Sequence, residues 1–298
     1  MQNALNAIFG NGQSGKRNIT APQRSGDAAG GRADVMRGGD SGQFAPPEGA
    51  LREGSFYNEQ IQLFQKRTAE FLRQSFPSFA KTLTEPEQEK LAINVQKRAG
   101  LRGFTTEKEI WHYLIAVIYC GFLFEQDPQY ADMLRLVGWQ NAEANRALLL
   151  DRLLNVIEEY SYECEQDFAD FDKKLTYLGE FYADSNFSNA VISALPAEEQ
   201  AALARQMLET IFPARAALWS DEARRNLIGA SLDQAQRLGF RAKEGLLYCI
   251  AAVYFGRGFE QSPLYPWAYF LSNRNIPAQD RIKQFISAVA KHMRILAE

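Results

Sequence analysis

From residue 56 onward, apolar residues recur at helical spacing almost without interruption, and no stretch shows the alternating, turn-bounded pattern of a sheet strand. The pattern predicts an all-α protein. "FYNEQIQLFQKRTAEFLRQSF" (56–76) reads as a helix stopped by Pro77. "TEPE" at 84–87 and "TEKE" at 106–109 are capping boxes, the first with Thr84 as N-cap, Pro86 in the opening turn and Glu87 at N3. The first box opens a helix that stops near Gly103, a residue suited to a left-handed C-cap. The second opens the most apolar run, "IWHYLIAVIYCGFLF" (110–124), predicted as a helix over 107–120 buried on all sides. An amphipathic helix over 142–159 closes this half. The second half predicts helices at 197–211, 221–237, 243–255, 263–273 and 277–296.

The chain repeats itself. "SFPSFAKTL" at 75–83 answers "IFPARAALW" at 211–219, an offset of 136. "LRGFTTEKEIWHYLIAVIYCGFLFEQDPQY" (101–130) answers "RLGFRAKEGLLYCIAAVYFGRGFEQSPLY" (237–265), with one residue fewer near 105–107. "LLDRLLNVI" then answers "AQDRIKQFI", which predicts a duplicated unit of about 100 residues. The organisation expected is an N-terminal arm over 1–55, a helical unit over 56–159, a connector over 160–190 and a second unit over 191–298. The arm is rich in Gly, Ala, Arg and Ser and nearly lacks large apolar residues, so it is predicted to be disordered in the isolated protein.

Composition narrows the function. The net charge of −3 gives no reason to expect a nucleic-acid footprint, which would need a basic face or stripe. "MQNALNAIFG" at the start lacks the charged and apolar regions of a secretory signal. The longest apolar run contains His112 and is shorter than the ~20 residues of a membrane span. Cys120, Cys164 and Cys249 are an odd number at wide spacing, which suits buried thiols in a reducing compartment. The expected location is cytoplasmic.

Chemistry finds little purchase. His112 and His292 are far apart, with no cysteine pair at ligand spacing, so neither a metal nor a cofactor is expected. No GxSxG or cysteine–histidine signature marks a nucleophile. Across the repeat Cys249 aligns with Leu114 and Cys120 with Phe255, so the thiols act as hydrophobes. Carboxylates in the matched joints "GFLFEQDP" (121–128) and "GRGFEQSP" (256–263) are the best enzymatic candidates: Glu125 with Asp127, and Glu260. Asp127 becomes Ser262, each before a proline. Both residue types are favoured N-caps and only one is an acid, so the pair predicts a helix cap. Gly121 and Gly256 then stop the buried helix, and Phe124 and Phe259 anchor the loop in the core. Glu125, Gln126, Glu260 and Gln261 have no such structural task and become candidate partner-binding residues.

The connector supplies the other candidates. From Glu158 to Asp172 it holds seven acidic residues and no basic one, interleaved with aromatic residues. One reading is a solvated helix whose aromatics pack inward. The other is an acidic-aromatic contact surface for a basic partner, formed by Tyr160, Tyr162, Glu163, Glu165, Asp167 and Phe168. The protein's own Arg-containing arm is a further candidate occupant.

An "FP" after an amphipathic helix, then glycine, an aromatic and "KE", then "FEQDP" or "FEQSP", resembles small helical proteins of unknown function encoded beside type VI secretion spike, PAAR and Rhs effector genes. "SPLYPWAYFL" (262–271), with Trp267, carries the resemblance furthest; the first half has Ala131 and Asp132 in place of Pro266 and Trp267. The resemblance implies a non-enzymatic adaptor or chaperone that binds an effector, toxin or spike protein, and it brings no catalytic residues. The alternatives are an immunity protein that blocks a cognate toxin and an enzyme using Glu125 or Glu260.

Overall fold

The computed structural model describes residues 54–141, 145–169, 174, 180–182 and 188–297, the side chains at 54–58, 60, 147, 168, 169 and 297 excepted. The expected arm over 1–55 and much of the connector therefore lie outside the described residues. Among the described residues there is no strand, and the protein is all-α. The first half contains α1 (Gly54–Ser75), α2 (Pro77–Ala80), α3 (Glu85–Leu101), α4 (Glu107–Cys120), α5 (Ala131–Val137) and α6 (Arg146–Glu163). A short α7 (Glu165–Ala169) follows. The second half contains α8 (Asn189–Ala194), α9 (Ala197–Ile211), α10 (Pro213–Leu218), α11 (Asp221–Arg237), α12 (Lys243–Phe255) and α13 (Ala278–Ala297). No helix among the described residues is long and apolar enough to cross a membrane.

The capping chemistry places most of these ends. The Thr84 amide and hydroxyl both donate to Glu87 Oε2 at 2.7 Å, and the Glu109 amide donates to Thr106 Oγ1 at 3.3 Å while Glu109 Oε2 accepts from the Thr106 amide. Gly103 and Gly239 end α3 and α11 with φ of 77° and 81°. α6 is displaced from its predicted 142–159, because its N-cap is Asn145, whose side chain accepts from the Leu148 amide. The residue missing near 105–107 has a structural consequence in the second half. Where Thr106 caps α4, the N-cap of α12 is Ala242, which has a φ of 50° and no capping side chain of its own. The cap is supplied from α8: Asn189 Oδ1 accepts from the Lys243 amide, and Asn189 Nδ2 donates to Glu244.

Packing joins the halves more closely than the predicted division at 160–190 suggests. One core cluster runs from Phe64 in α1 to Val289 in α13 and includes both buried helices. A second cluster gathers Ile192, Met207, Leu208, Ile211 and Trp219 around α9 to α12. The halves also exchange contacts: α11 packs on the 3₁₀ turn Pro128–Tyr130, and α13 packs on α2. An arginine from each final helix lies against the glycine after α3 or α11. In the first half it is Arg146, which donates to the Gly103 carbonyl at 2.8 Å, and not the sequence-aligned Arg152. In the second half it is Arg281, stacked on Phe240 beside Gly239.

His292 on α13 is buried against Phe255, Tyr265 and Trp267, at ring separations of 6.2, 5.6 and 5.4 Å. Burial holds its pKa down at about 4. Its contribution is complete above the unfolded pKa near 6.5 and is lost as pH falls through about 4, on the order of 3 kcal/mol in all. Asp127, pushed up by burial, works in the opposite direction over the acid range. Urea unfolding of wild type and His292→Phe between pH 7 and 4 separates the two: the variant should lack the histidine's share of the acid loss.

Candidate functional site

The two joints meet each other. Gly121 ends α4 with φ and ψ of 89° and 160°, and Gly256 ends α12 with 85° and 160°. A Cβ on Gly121 would lie 3.0 Å from both Gly256 Cα and the Phe255 carbonyl oxygen, and one on Gly256 would meet Gly121 and Cys120 at the same distance. The backbones therefore touch where side chains cannot fit. Phe124 and Phe259 turn inward from the 3₁₀ turns that follow, against Tyr113 and Trp139 in one half and Tyr248 and Phe285 in the other.

Both joint glutamates prove to be internal. Glu125, with a side chain 7% exposed, accepts from the Tyr113 hydroxyl at 3.0 Å and from Arg102 Nε and Nη2 at 3.1 Å each, with Arg98 Nη2 at 3.5 Å. Glu260, 1% exposed, accepts from the Tyr248 hydroxyl at 2.7 Å and Gln234 Nε2 at 2.8 Å. The glutamate in each half thus ties the joint to a tyrosine of the buried helix and a long side chain of the helix before it. Burial and the adjacent carboxylate push both tyrosines' pKa values up. Gln126 and Gln261 are exposed, and the Gln126 carbonyl accepts from Arg257 Nη1. A small cleft with room for little more than a water is lined by Gln234 and Tyr248, the two partners of Glu260, and by Arg257.

Asp127 and Ser262 act as caps, as their exchange suggests. Asp127 Oδ1 accepts from the Gln129 amide, and Ser262 Oγ accepts from the Leu264 amide, although the elements they open are a 3₁₀ turn and a simple turn. Asp127 has a second role with no counterpart in Ser262. Its Oδ2 accepts from the Arg257 amide at 2.7 Å, which locks the first joint to the second.

The acidic-aromatic set divides between interior and surface. Tyr160 packs edge-on against Tyr130 at 5.8 Å, as the inward-packing reading predicts. Asp167 is fully buried and accepts from the Ala214 and Arg215 amides at 3.2 and 2.8 Å, capping α10 from a distance of 47 residues in sequence. Trp267 is half-buried in the ring cluster around Phe255 and His292. The Phe168 side chain lies outside the described residues. What remains exposed is Glu159, Tyr162, Glu163 and Glu165 along the end of α6 and the start of α7. Tyr162 is 69% exposed, and none of these glutamates has an ion-pair partner among the described residues.

Elsewhere the titratable groups are quenched by burial. Burial pushes the Cys164 thiol up to about 11 and those of Cys120 and Cys249 higher still, so none is a thiolate at neutral pH. Among the described residues no group of three His, Cys, Asp or Glu side chains converges as metal ligands do. Compared with known proteins, the chain matches no family model, no curated protein and no solved structure.

Proposed function

We propose that the protein is a non-enzymatic binding accessory that holds a basic protein partner against the end of α6. The observation that carries this reading is the exposed Tyr162 among Glu159, Glu163 and Glu165, which have no ion-pair partner among the described residues. A large amphipathic ring set in single-sign charge suits an interface anchor with electrostatic steering around it. By the resemblance stated above, the partner is an effector, toxin or spike protein of a secretion or contact-toxin locus, met in the cytoplasm. An immunity protein would use the same face, with Tyr162 entering a toxin's basic cleft. The enzymatic alternative has least support, because Glu125 and Glu260 are enclosed by the side chains that hold them.

Co-purification with each neighbouring gene product tests the proposal. A complex is expected, and Tyr162→Ala combined with Glu163→Lys and Glu165→Lys should weaken it about tenfold or more while the fold is retained. Undiminished binding by this variant, or no complex with any neighbour, overturns the reading. Gene deletion separates the two roles: loss of an immunity protein poisons the cell, and loss of an adaptor silences delivery.

A further inference from the structure

α6 carries a second pattern along its outer face. Leu148, Arg152, Asn155, Glu159 and Tyr162 are all exposed, and their spacings of four, three, four and three residues are those of a two-helix coiled-coil seam. Turned end for end, the seam is its own complement. Leu148 comes opposite Tyr162 of a second copy, Arg152 opposite Glu159, and Asn155 opposite Asn155 at the two-fold axis. Arg152 and Glu159 cannot satisfy each other within one chain, since seven residues of helix separate them by about 10 Å. Neither has an ion-pair partner among the described residues.

Leu148, at the apolar end of the seam, is 47% exposed. Leu101 and Leu136, 88% and 76% exposed, are the most exposed large apolar side chains among the described residues. Leu101 lies two residues before Gly103, whose carbonyl accepts from Arg146 at the start of α6, and Leu136 lies on α5, which packs on α6. One flanking pair opposes association, Asp151 with Glu158 of the second copy, and Asp151 is turned to His112 Nδ1 at 3.4 Å.

We propose that this face joins two copies of the chain through antiparallel α6 helices, with a seam about 21 Å long from Leu148 to Tyr162. The occupant is a second copy because the charges complement only in the reversed register, with an asparagine at the axis to fix it. This inference does not rest on the binding role proposed above. If both hold, a basic partner and the second copy compete for Tyr162, and partner binding dissociates the dimer.

Sedimentation equilibrium of the full chain over a wide concentration range tests it. Wild type is expected to show a reversible monomer–dimer equilibrium. Arg152→Glu and Glu159→Arg should each weaken the dimer about tenfold or more, because each places two like-charged pairs across the axis. Combining both changes in one chain restores it. Mixing the two single variants restores it as well, since one then presents two acidic and the other two basic seam residues. A monomer at every concentration overturns the proposal, as does a dimer indifferent to either reversal or one that neither combination rescues.

Discussion

Replacing Gly121 with alanine is expected to destabilise the protein by about 4 kcal/mol or more, a large fraction of the roughly 5–15 kcal/mol that holds a typical domain folded. Two costs coincide there. The backbone, at φ 89° and ψ 160°, occupies a region reserved for glycine, which costs an L-residue about 1–3 kcal/mol. The added methyl would also press at 3.0 Å on Gly256 Cα and the Phe255 carbonyl, atoms of backbone that cannot swing aside. Gly138→Ala supplies the control for the first cost alone, since Gly138 has φ 75° but nothing within 4 Å of its Cβ position; about 1–2 kcal/mol is expected. Gly229→Ala, in the interior of α11 with open space and ordinary helical φ, should instead stabilise by about 0.5–1 kcal/mol. Urea unfolding of the three variants gives the ranking. If Gly121→Ala is no worse than Gly138→Ala, the contact between the joints contributes nothing.

Gly121 also shows how far the sequence reaches. Its role as a helix stop follows from its position after a buried apolar run, and its alignment with Gly256 shows that both halves need it. That the two glycines touch each other is a tertiary fact, and nothing local encodes it. The same boundary runs through the other residues. Capping boxes at Thr84 and Thr106 are legible because donor and acceptor lie three residues apart. Asp167 capping α10 and Asn189 capping α12 are not legible, because each reaches across about fifty residues. Asp167 therefore reads as one more surface acid when it is among the most enclosed. The glutamates of the joints are an intermediate case. Tyr113 and Tyr248 are also matched between the two aligned stretches, at the same offset as Glu125 and Glu260. A tyrosine and a glutamate preserved together near one joint was the available signal for a bond between them. The exposed face of α6 is legible in part: its charge pattern is visible, but exposure decides which of its aromatics face outward.

The partners of the two glutamates predict opposite responses to the same mild substitution. Glu260 bonds two side chains, and Gln234 is an amide that can rotate. In Glu260→Gln the new carbonyl oxygen accepts from Tyr248, while the new amide donates to a turned Gln234, so both hydrogen bonds survive. The change should therefore shift stability by less than about 1 kcal/mol. Glu125 faces a guanidinium, which has donors only. Glu125→Gln sets an amide N–H against the Arg102 fork and breaks one of its paired bonds, for an expected loss of about 1–2 kcal/mol. Truncation brings the two together. Both alanine variants leave an enclosed tyrosine hydroxyl, Tyr248 or Tyr113, without its acceptor at a cost of about 2–3 kcal/mol, while Arg98 and Arg102 regain water after Glu125→Ala. Denaturant midpoints for the four variants decide the matter, with the slopes checked for constancy. A Glu260→Gln variant as damaged as Glu260→Ala would mean that Gln234 is not free to turn. A variant of either glutamate that keeps full stability yet loses its cellular phenotype would return that carboxylate to the surface of function, and the tyrosine bond would then be positioning it for a task beyond the fold.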